Sequence, residues 1–233
     1  MRRTTVYALL LLGSLGSGSA LANTDCGQPG DTPGRFGPFD YRDPTKGEER
    51  WLVEKAHFTL YMEEMALYGF SQQGQQLPEE ATGWGLIAGN LDYTLYAFPN
   101  HARALYAMAI WQLRLSKQNP SSLHSQIGTT RLLTAECYFQ RAISFTPNDP
   151  LVYHAYGAYL QKAGDLRKAA IQYQKAIEIM PDAPEPHYNL GLLYLQLNDY
   201  KKASEEADRA YALGYPLQGL KKKLAAAQQR ASN

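Results

Sequence analysis

Apolar and aromatic residues recur through the second half of the chain with the spacing of amphipathic helices. Two faces show the spacing most clearly: Tyr153, Tyr156 and Leu160, then His187, Leu190 and Tyr194. Gly164 and Asn198 follow, and these residue types readily adopt the left-handed conformation that ends a helix. Asp165 and Asp199 come next and are suited to cap a following helix. The pattern therefore predicts two successive helical hairpins.

The pattern repeats with a period of 34 residues. Gly157 and Gly191 are 34 residues apart. Alanines keep the same interval at two further slots: Ala135, Ala169 and Ala203, and then Ala142, Ala176 and Ala210. Glycine inside a helix costs about 1 kcal/mol relative to alanine. Gly157 and Gly191 are therefore expected to allow the close approach of a second helix.

These residues resemble the tetratricopeptide repeat, a helix–turn–helix unit of 34 residues. The resemblance rests on Tyr153, Tyr156, Gly157, Leu160, Ala169, Tyr173, Ala176 and Pro181. The next unit departs from the family at Ala207, where a large aromatic residue is expected, and at Tyr215, where proline is expected. Such departures are typical of a terminal repeat, and the apolar stripe within residues 217–233 predicts a helix that caps it.

A divergent copy of the repeat, interrupted by an insertion, lies upstream. Residues 99–149 match one unit if a loop of residues 116–129 is inserted between its two helices. Two regular units then follow, at residues 150–183 and 184–216. Before them come a divergent helical region, residues 47–98, and an irregular extension rich in Pro and Gly, residues 23–46. The predicted fold is an all-α solenoid of helical hairpins, with an irregular N-terminal extension and a C-terminal capping helix.

The N-terminus has the composition of a secretory signal peptide. Arg2 and Arg3 precede a short apolar stretch, and Ala20-Leu21-Ala22 fits the cleavage rule, so the mature chain is expected to start at Asn23. An uncleaved anchor is the alternative, but the apolar run is too short to cross a bilayer. We therefore expect a periplasmic or secreted protein that has no membrane span after cleavage. The strings GPFDYRDP and LDYTLYAFPNH also resemble those of exported bacterial repeat proteins.

Export affects the interpretation of the charges and the cysteines. Removal of Arg2 and Arg3 changes the formal net charge from +1 to −1. A chain so close to neutral has no field to attract nucleic acid, which is excluded as a partner. In an oxidising compartment, Cys26 and Cys137 are the one available pair, so a disulfide is predicted, with two buried thiols as the alternative.

No sequence motif indicates catalysis. The chain contains no HExxH, GxSxG, P-loop or Rossmann glycine pattern. His154 and His187 occupy near-equivalent places in successive repeats, but a metal site is not predicted from them. Glu54 and Glu136 are single carboxylates that could serve as a general acid in an apolar cleft. No sequence feature singles out either of them as catalytic. We expect neither enzymatic activity nor a cofactor.

The concave face of a repeat solenoid is the expected binding surface. Its predicted residues are Arg103, Tyr106, Ile110, Arg114, Leu151, His154, Ala158, Gln161, Tyr188, Asn189 and Leu192. Asn189 matches the asparagine with which many tetratricopeptide repeats bond a peptide backbone. The cationic clamp of the chaperone-binding members is not matched, because His154 and Ala158 stand in its place. The N-terminal extension or the inserted loop could instead occupy the groove.

Two functions remain open at this point. The first is a non-catalytic adaptor or scaffold of the bacterial cell envelope, which binds a peptide or protein partner in the concave groove. The alternative is an envelope polysaccharide-binding protein or enzyme with its site in the aromatic N-terminal region. Trp51, Trp84, Tyr41 and Tyr93 would then stack on sugar rings.

Overall fold

A computed structural model describes residues 26–30, 36–69, 82–118 and 132–232. These residues form ten α-helices and no strand, so the predicted all-α class is confirmed for this part of the chain. After a 3₁₀ turn at Pro44–Lys46, the helices are α1 (Gly47–His57), α2 (Leu60–Tyr68), α3 (Thr82–Ala97), α4 (Ala102–Gln118), α5 (Ala135–Phe145), α6 (Pro150–Ala163), α7 (Leu166–Ile179), α8 (Pro184–Gln196), α9 (Tyr200–Ala212) and α10 (Gly219–Ser232).

Some sequence predictions fall outside or across these bounds. The predicted signal peptide lies outside the described residues, as does the part of the predicted inserted loop from residue 119 onward. The first three residues of that predicted loop, 116–118, are helical, because α4 continues to Gln118. Thr59 caps α2, since its side chain accepts a hydrogen bond from the backbone N–H of Met62.

The helices pack as a row of hairpins. Helix α3 packs on α2, α5 on α4, α7 on α6 and α9 on α8, while α1 packs on α3. The first helices of these pairs also contact one another in order, from α2 to α4, α6 and α8. Helix α10 closes the row by packing on α8 and α9. The predicted solenoid with a C-terminal capping helix is therefore confirmed, and α2, α4, α6 and α8 form its inner row.

The repeated turn residues have the conformations that the pattern predicts. Gly164 ends α6 with φ of 94°, and Asn198 follows α8 with φ of 60°, both in the left-handed region. The side chain of Asp165 caps α7 by accepting from the backbone N–H of Lys168. Asp199 caps α9 in the same way. Each short turn thus supplies partners for the free backbone groups at the helix ends, which keeps the two helices of a hairpin close together.

The two mid-helix glycines are sites of close packing. A Cβ on Gly157 would lie 2.7 Å from the ring of Tyr173, the aromatic residue of the same repeat. Gly191 belongs to the repeat that has Ala207 in the aromatic slot. A Cβ there would lie 2.6 Å from Leu220 of the capping helix. Leu220 is fully buried, so it occupies the space that an aromatic side chain takes in the preceding repeat.

We expect Gly157→Ala to lower the free energy of unfolding by up to about 2 kcal/mol. Overpacking against the buried Tyr173 ring costs about 1–3 kcal/mol. The higher helix propensity of alanine offsets about 1 kcal/mol of that cost. Gly89 is the matched control, because a Cβ at that helical position meets nothing within 4 Å. Gly89→Ala should raise stability in the same urea titration. A stabilised Gly157→Ala variant would contradict the packing role.

A segment formed by residues 26–30 and 36–43, called the strap below, lies against the N-terminal half of the solenoid. A disulfide joins Cys26 to Cys137 of α5, with 5.1 Å between their Cα atoms, so the predicted pair is present. The guanidinium of Arg141 donates to the backbone carbonyl of Gln28 at 2.9 Å. Further along, the N–H of Phe39 donates to the carbonyl of Ala97 at the end of α3.

Asn100 connects the strap to two loops of the solenoid. Its side chain is buried and accepts from the backbone N–H of Tyr41 at 2.8 Å. Its amide nitrogen donates to Asp40 of the strap at 2.7 Å and to Asp149 of the loop after α5 at 2.9 Å. Asp149 is itself buried, and Arg42 of the strap lies 3.1 Å from its carboxylate. The strap therefore crosses the loop after α3 and the loop after α5.

Candidate protein-binding groove

A groove of about 820 Å³ runs along the inner row of helices. Eight of the eleven predicted binding residues line it: Arg103, Tyr106, Leu151, His154, Ala158, Gln161, Asn189 and Leu192. They meet because α4, α6 and α8 lie side by side in the inner row. Six further residues complete the lining: Glu63, Ala102, Ala155, Lys162, Tyr173 and Gln196. No described residue of the strap is among them, so that part of the extension does not occupy the groove.

Three predicted residues lie outside the groove. Ile110 is 8% exposed and packs in the interior. Arg114 donates to the backbone carbonyls of Met65 and Ala66, at 3.2 and 3.1 Å, and so covers the C-terminal end of α2. Its position is explained by α2, which precedes the regular repeats and packs across this part of α4.

The third is Tyr188, which is buried at the C-terminal end of the solenoid. Its ring lies 4.2 Å from the ring of Tyr215, measured between centroids. A Cβ added to Gly219, at the start of α10, would lie 2.8 Å from the Tyr188 hydroxyl oxygen. The capping helix and the turn before it therefore cover Tyr188, which the repeat pattern predicts to be exposed in the groove.

Two sets of hydrogen-bonded, uncharged polar groups lie on the floor of the groove. The buried Tyr173 donates its hydroxyl to Gln161 Oε1 at 3.0 Å. Gln161 Nε2 lies 3.4 Å from Gln196 Oε1, which connects α6 to α8. A second contact between these helices joins Asn189 Nδ2 and His154 Nε2 at 2.7 Å. The floor thus offers amide, imidazole and phenol groups, which donate and accept hydrogen bonds without net charge.

Charge is confined to a few positions around this floor. Arg103 forms a two-point ion pair with Glu63 of α2, and this contact raises the pKa of Arg103. Burial lowers the pKa of His154, although the nearby Glu185 opposes that effect, so the ring is neutral at pH 7. Lys162 adds a cation at the edge. The groove therefore favours a ligand with little charge over a strongly acidic or basic one.

Among the predicted sugar-stacking residues that the structure describes, Tyr41 and Tyr93 each pack against a histidine ring. The ring of Tyr41 lies 4.1 Å from that of His101, and the ring of Tyr93 lies 4.1 Å from that of His57. The Trp51 side chain is 56% exposed, and the ammonium of Lys55 lies over its ring. The side chain of the fourth predicted residue, Trp84, lies outside the described part.

Glu54 is poorly suited to act as a general acid. His101 Nε2 lies 3.3 Å from its carboxylate, and the Tyr41 hydroxyl donates to it at 2.6 Å. His101 and Tyr41 lower the pKa of Glu54 to about 2 despite its partial burial. Glu54 of α1 is therefore ionised at neutral pH and connects Tyr41 of the strap with His101, the residue before α4. The other predicted carboxylate, Glu136, accepts a hydrogen bond from the Tyr159 hydroxyl at 2.9 Å.

His154 and His187 have separate partners. His154 contacts Asn189, whereas His187 Nδ1 lies 2.7 Å from the Glu206 carboxylate and Nε2 lies 3.1 Å from the carbonyl of Pro181. Over residues 26–30, 36–69, 82–118 and 132–232, no three His, Cys, Asp or Glu side chains are placed to hold a metal ion. No helix in these ranges has both the length and the apolar character needed to cross a membrane.

Family models identify the class of the repeats. Models described as tetratricopeptide repeat match residues 138–171 and 184–213, and a model described as TPR repeat matches residues 160–198. Residues 138–213 are therefore tetratricopeptide repeats, and the predicted family is confirmed for this part of the chain. A comparison with curated proteins finds no match.

Three solved structures align with part of this chain. The chain aligns with Pseudomonas aeruginosa PilF at 18% identity and a TM-score of 0.50, covering 79% of this chain and 71% of that one. A MamA RS-1 ArsTM double mutant matches at 20% identity and a TM-score of 0.40, over 57% of this chain and 66% of that one.

A thermophilic TPR protein of Thermus thermophilus matches at 20% identity and a TM-score of 0.32. This alignment covers 64% of this chain and 93% of that one. The three identities are all low, and PilF alone among these structures reaches a TM-score of 0.50. The similarity to PilF supports the solenoid fold and nothing beyond it.

Proposed function

We propose that the protein is a non-catalytic adaptor of the bacterial cell envelope that holds a segment of another protein in its groove. The observation that carries this proposal is the open groove of about 820 Å³ along the inner row of helices. Stacked helical repeats generally bind partner proteins on such a concave surface. The described part of the strap leaves the groove free, because it lies across the loops after α3 and α5.

The lining favours an extended or helical protein segment with few charges. Leu151, Ala158 and Leu192 supply apolar surface, while Gln161 and Asn189 supply side-chain amides. Amides bond equally well to backbone carbonyls and backbone N–H groups, which every protein segment carries. Apolar pockets between them select among side chains of the bound segment.

Two observations support a location in the cell envelope. Residues 1–22 have the composition of a signal peptide. The disulfide between Cys26 and Cys137 is typical of proteins that fold in an oxidising compartment, of which the bacterial periplasm is one.

Site-specific photocrosslinking in cells tests this function. Benzoylphenylalanine in place of Leu151, which lines the groove and is 48% exposed, should yield a covalent adduct with a partner protein. The matched control is the same crosslinker in place of Ile171, which is 59% exposed on the outer helix α7 and should give no such adduct. Adding Asn189→Ala should reduce the Leu151-position adduct about tenfold, the effect of about 1.4 kcal/mol.

The same cells test the proposed location. The protein should be recovered in the periplasmic or secreted fraction, with Asn23 as its first residue. Equal adduct yields at the two crosslinker positions, or none at position 151, would refute groove binding. Recovery of an uncleaved chain in the cytoplasm would refute the envelope location while leaving groove binding to be judged by the adducts.

A further inference from the structure

His154 and Asn189 form a polar pair whose hydrogens can be assigned from chemistry. Asn189 Nδ2 lies 2.7 Å from His154 Nε2. An amide NH₂ group can only donate, so Nε2 of the ring must accept. A neutral imidazole that accepts at Nε2 carries its proton on Nδ1. With the amide nitrogen of Asn189 facing the ring, the contact therefore assigns His154 the tautomer with its proton on Nδ1.

This arrangement leaves Oδ1 of Asn189 as an acceptor for a ligand, with the second hydrogen of Nδ2 and the Nδ1–H of His154 as donors. Both residues line the groove. No residue in the described part of the chain hydrogen-bonds to Oδ1 of Asn189 or to Nδ1 of His154. Because Nδ2 of Asn189 is turned to the ring, its Oδ1 is the end of the amide left to accept. The Nδ1–H of His154 is the corresponding donor.

The surroundings keep the ring neutral, as the assignment requires. The titratable and charged side chains around it belong to five helices: Glu63 of α2, Arg103 and Tyr106 of α4, Lys162 of α6, Tyr173 of α7 and Glu185 of α8. Glu63 and Arg103 pair with each other. Burial lowers the pKa of His154, and the opposing effect of Glu185 is smaller. Protonation therefore requires a pH below the ordinary histidine value of about 6.5.

We propose that His154 is a specificity-determining residue that sets the hydrogen-bond polarity of the groove, which means that it makes Asn189 present its oxygen to the ligand. The bound segment must then place a backbone N–H against Oδ1 of Asn189. The inference rests on the proposed binding of a protein segment in this groove. It names one requirement on the partner, which is a residue other than proline at the position opposite Asn189, because proline lacks the N–H. Without the ring, the Asn189 amide could rotate and bond to a carbonyl just as well.

Acidification should reverse this polarity. Protonated His154 has a hydrogen on Nε2, so it can no longer accept from Asn189 Nδ2. The amide then turns by half a rotation and places Oδ1 against the ring. The groove exchanges an acceptor for a donor, and affinity for the segment falls as the pH drops below the pKa of His154.

Two measurements on the full mature chain test the proposal. The first is a long-range ¹H–¹⁵N spectrum of the free protein at pH 7.5, which reports the histidine tautomer. His154 should carry its proton on Nδ1, and Asn189→Asp, which has no N–H to offer, should move the proton to Nε2. An Nε2-protonated ring in the wild type would overturn the inference without reference to any ligand.

The second measurement uses uncharged peptides of about twelve residues that are selected on the immobilised wild-type protein. Methylation of each backbone nitrogen in turn should weaken binding about tenfold at one position, the loss of one hydrogen bond. The same methyl group should have little effect in Asn189→Ala and in His154→Leu. In His154→Gln, whose amide oxygen can accept from Asn189, the tenfold effect should return.

The outcomes separate the two proposals. Peptides that bind, but show the same methylation profile in the wild type and in both Asn189→Ala and His154→Leu, would overturn the polarity role and leave groove binding intact. If no peptide is selected and the crosslinking experiment also gives no adduct at position 151, groove binding is refuted and this inference falls with it.

Discussion

Replacing Cys26 with serine should lower the free energy of unfolding by about 4 kcal/mol. The disulfide to Cys137 closes a loop with a sequence separation of 111 residues. Closing a loop of that length restricts the unfolded chain by an amount worth about 4–5 kcal/mol, if the native state is unstrained. Urea unfolding of the oxidised protein, followed by circular dichroism, measures the difference.

The reduced wild type is the control for this prediction. Under a reducing agent, the wild type and Cys26→Ser should unfold at the same urea concentration, because neither has the cross-link. Cys26 is the better position to change, since Cys137 is buried in α5 and its removal would also alter packing. Equal stabilities of the oxidised wild type and the variant would show that the bridge contributes nothing.

Replacing Leu220 with alanine should lower the free energy of unfolding by about 3 kcal/mol. Leu220 is fully buried and contacts Gly191, where the terminal repeat has Ala207 in place of a large aromatic residue. Truncating a buried leucine removes apolar contacts and leaves a cavity, at a cost of about 2–5 kcal/mol. The effect should be accompanied by a loss of helical signal from the C-terminal repeat.

Leu217 provides the matched control for Leu220. It is the same residue type, three positions earlier, and its side chain is 58% exposed. Leu217→Ala should therefore change stability by less than about 0.5 kcal/mol. Similar losses of unfolding free energy for both variants would contradict the prediction. They would mean that the contact with Gly191 contributes no more to stability than an exposed leucine does.

The helix boundaries of the regular repeats could be predicted from sequence because local chemistry determines them. Gly164 and Asn198 take left-handed conformations, and Asp165 and Asp199 cap the helices that follow. The disulfide could also be predicted, since only two cysteines exist. The position of the strap could not, because it depends on Asn100 meeting Asp40 and Asp149, which lie 60 and 49 residues away in sequence.

The groove could be predicted where the repeats are regular. Residues such as His154, Gln161 and Asn189 line it because successive inner helices repeat the same geometry. Two further predicted residues lie outside the groove, where non-repeating elements cover the surface. Arg114 is engaged by the carbonyls that end α2, and Tyr188 is covered by Tyr215 and the start of α10. A repeat pattern carries no information about the elements that flank it.

The strap has a consequence for the order in which the chain takes shape during synthesis. Residues 26–30 leave the ribosome early, yet their partners Cys137 and Arg141 are made more than a hundred residues later. Each later repeat contacts mainly its neighbours, so it can fold as soon as it emerges. For most of that interval, the thiol of Cys26 has no partner within its own chain. The first residues of the strap thus reach their place on α5 only after more than half of the sequence has been translated.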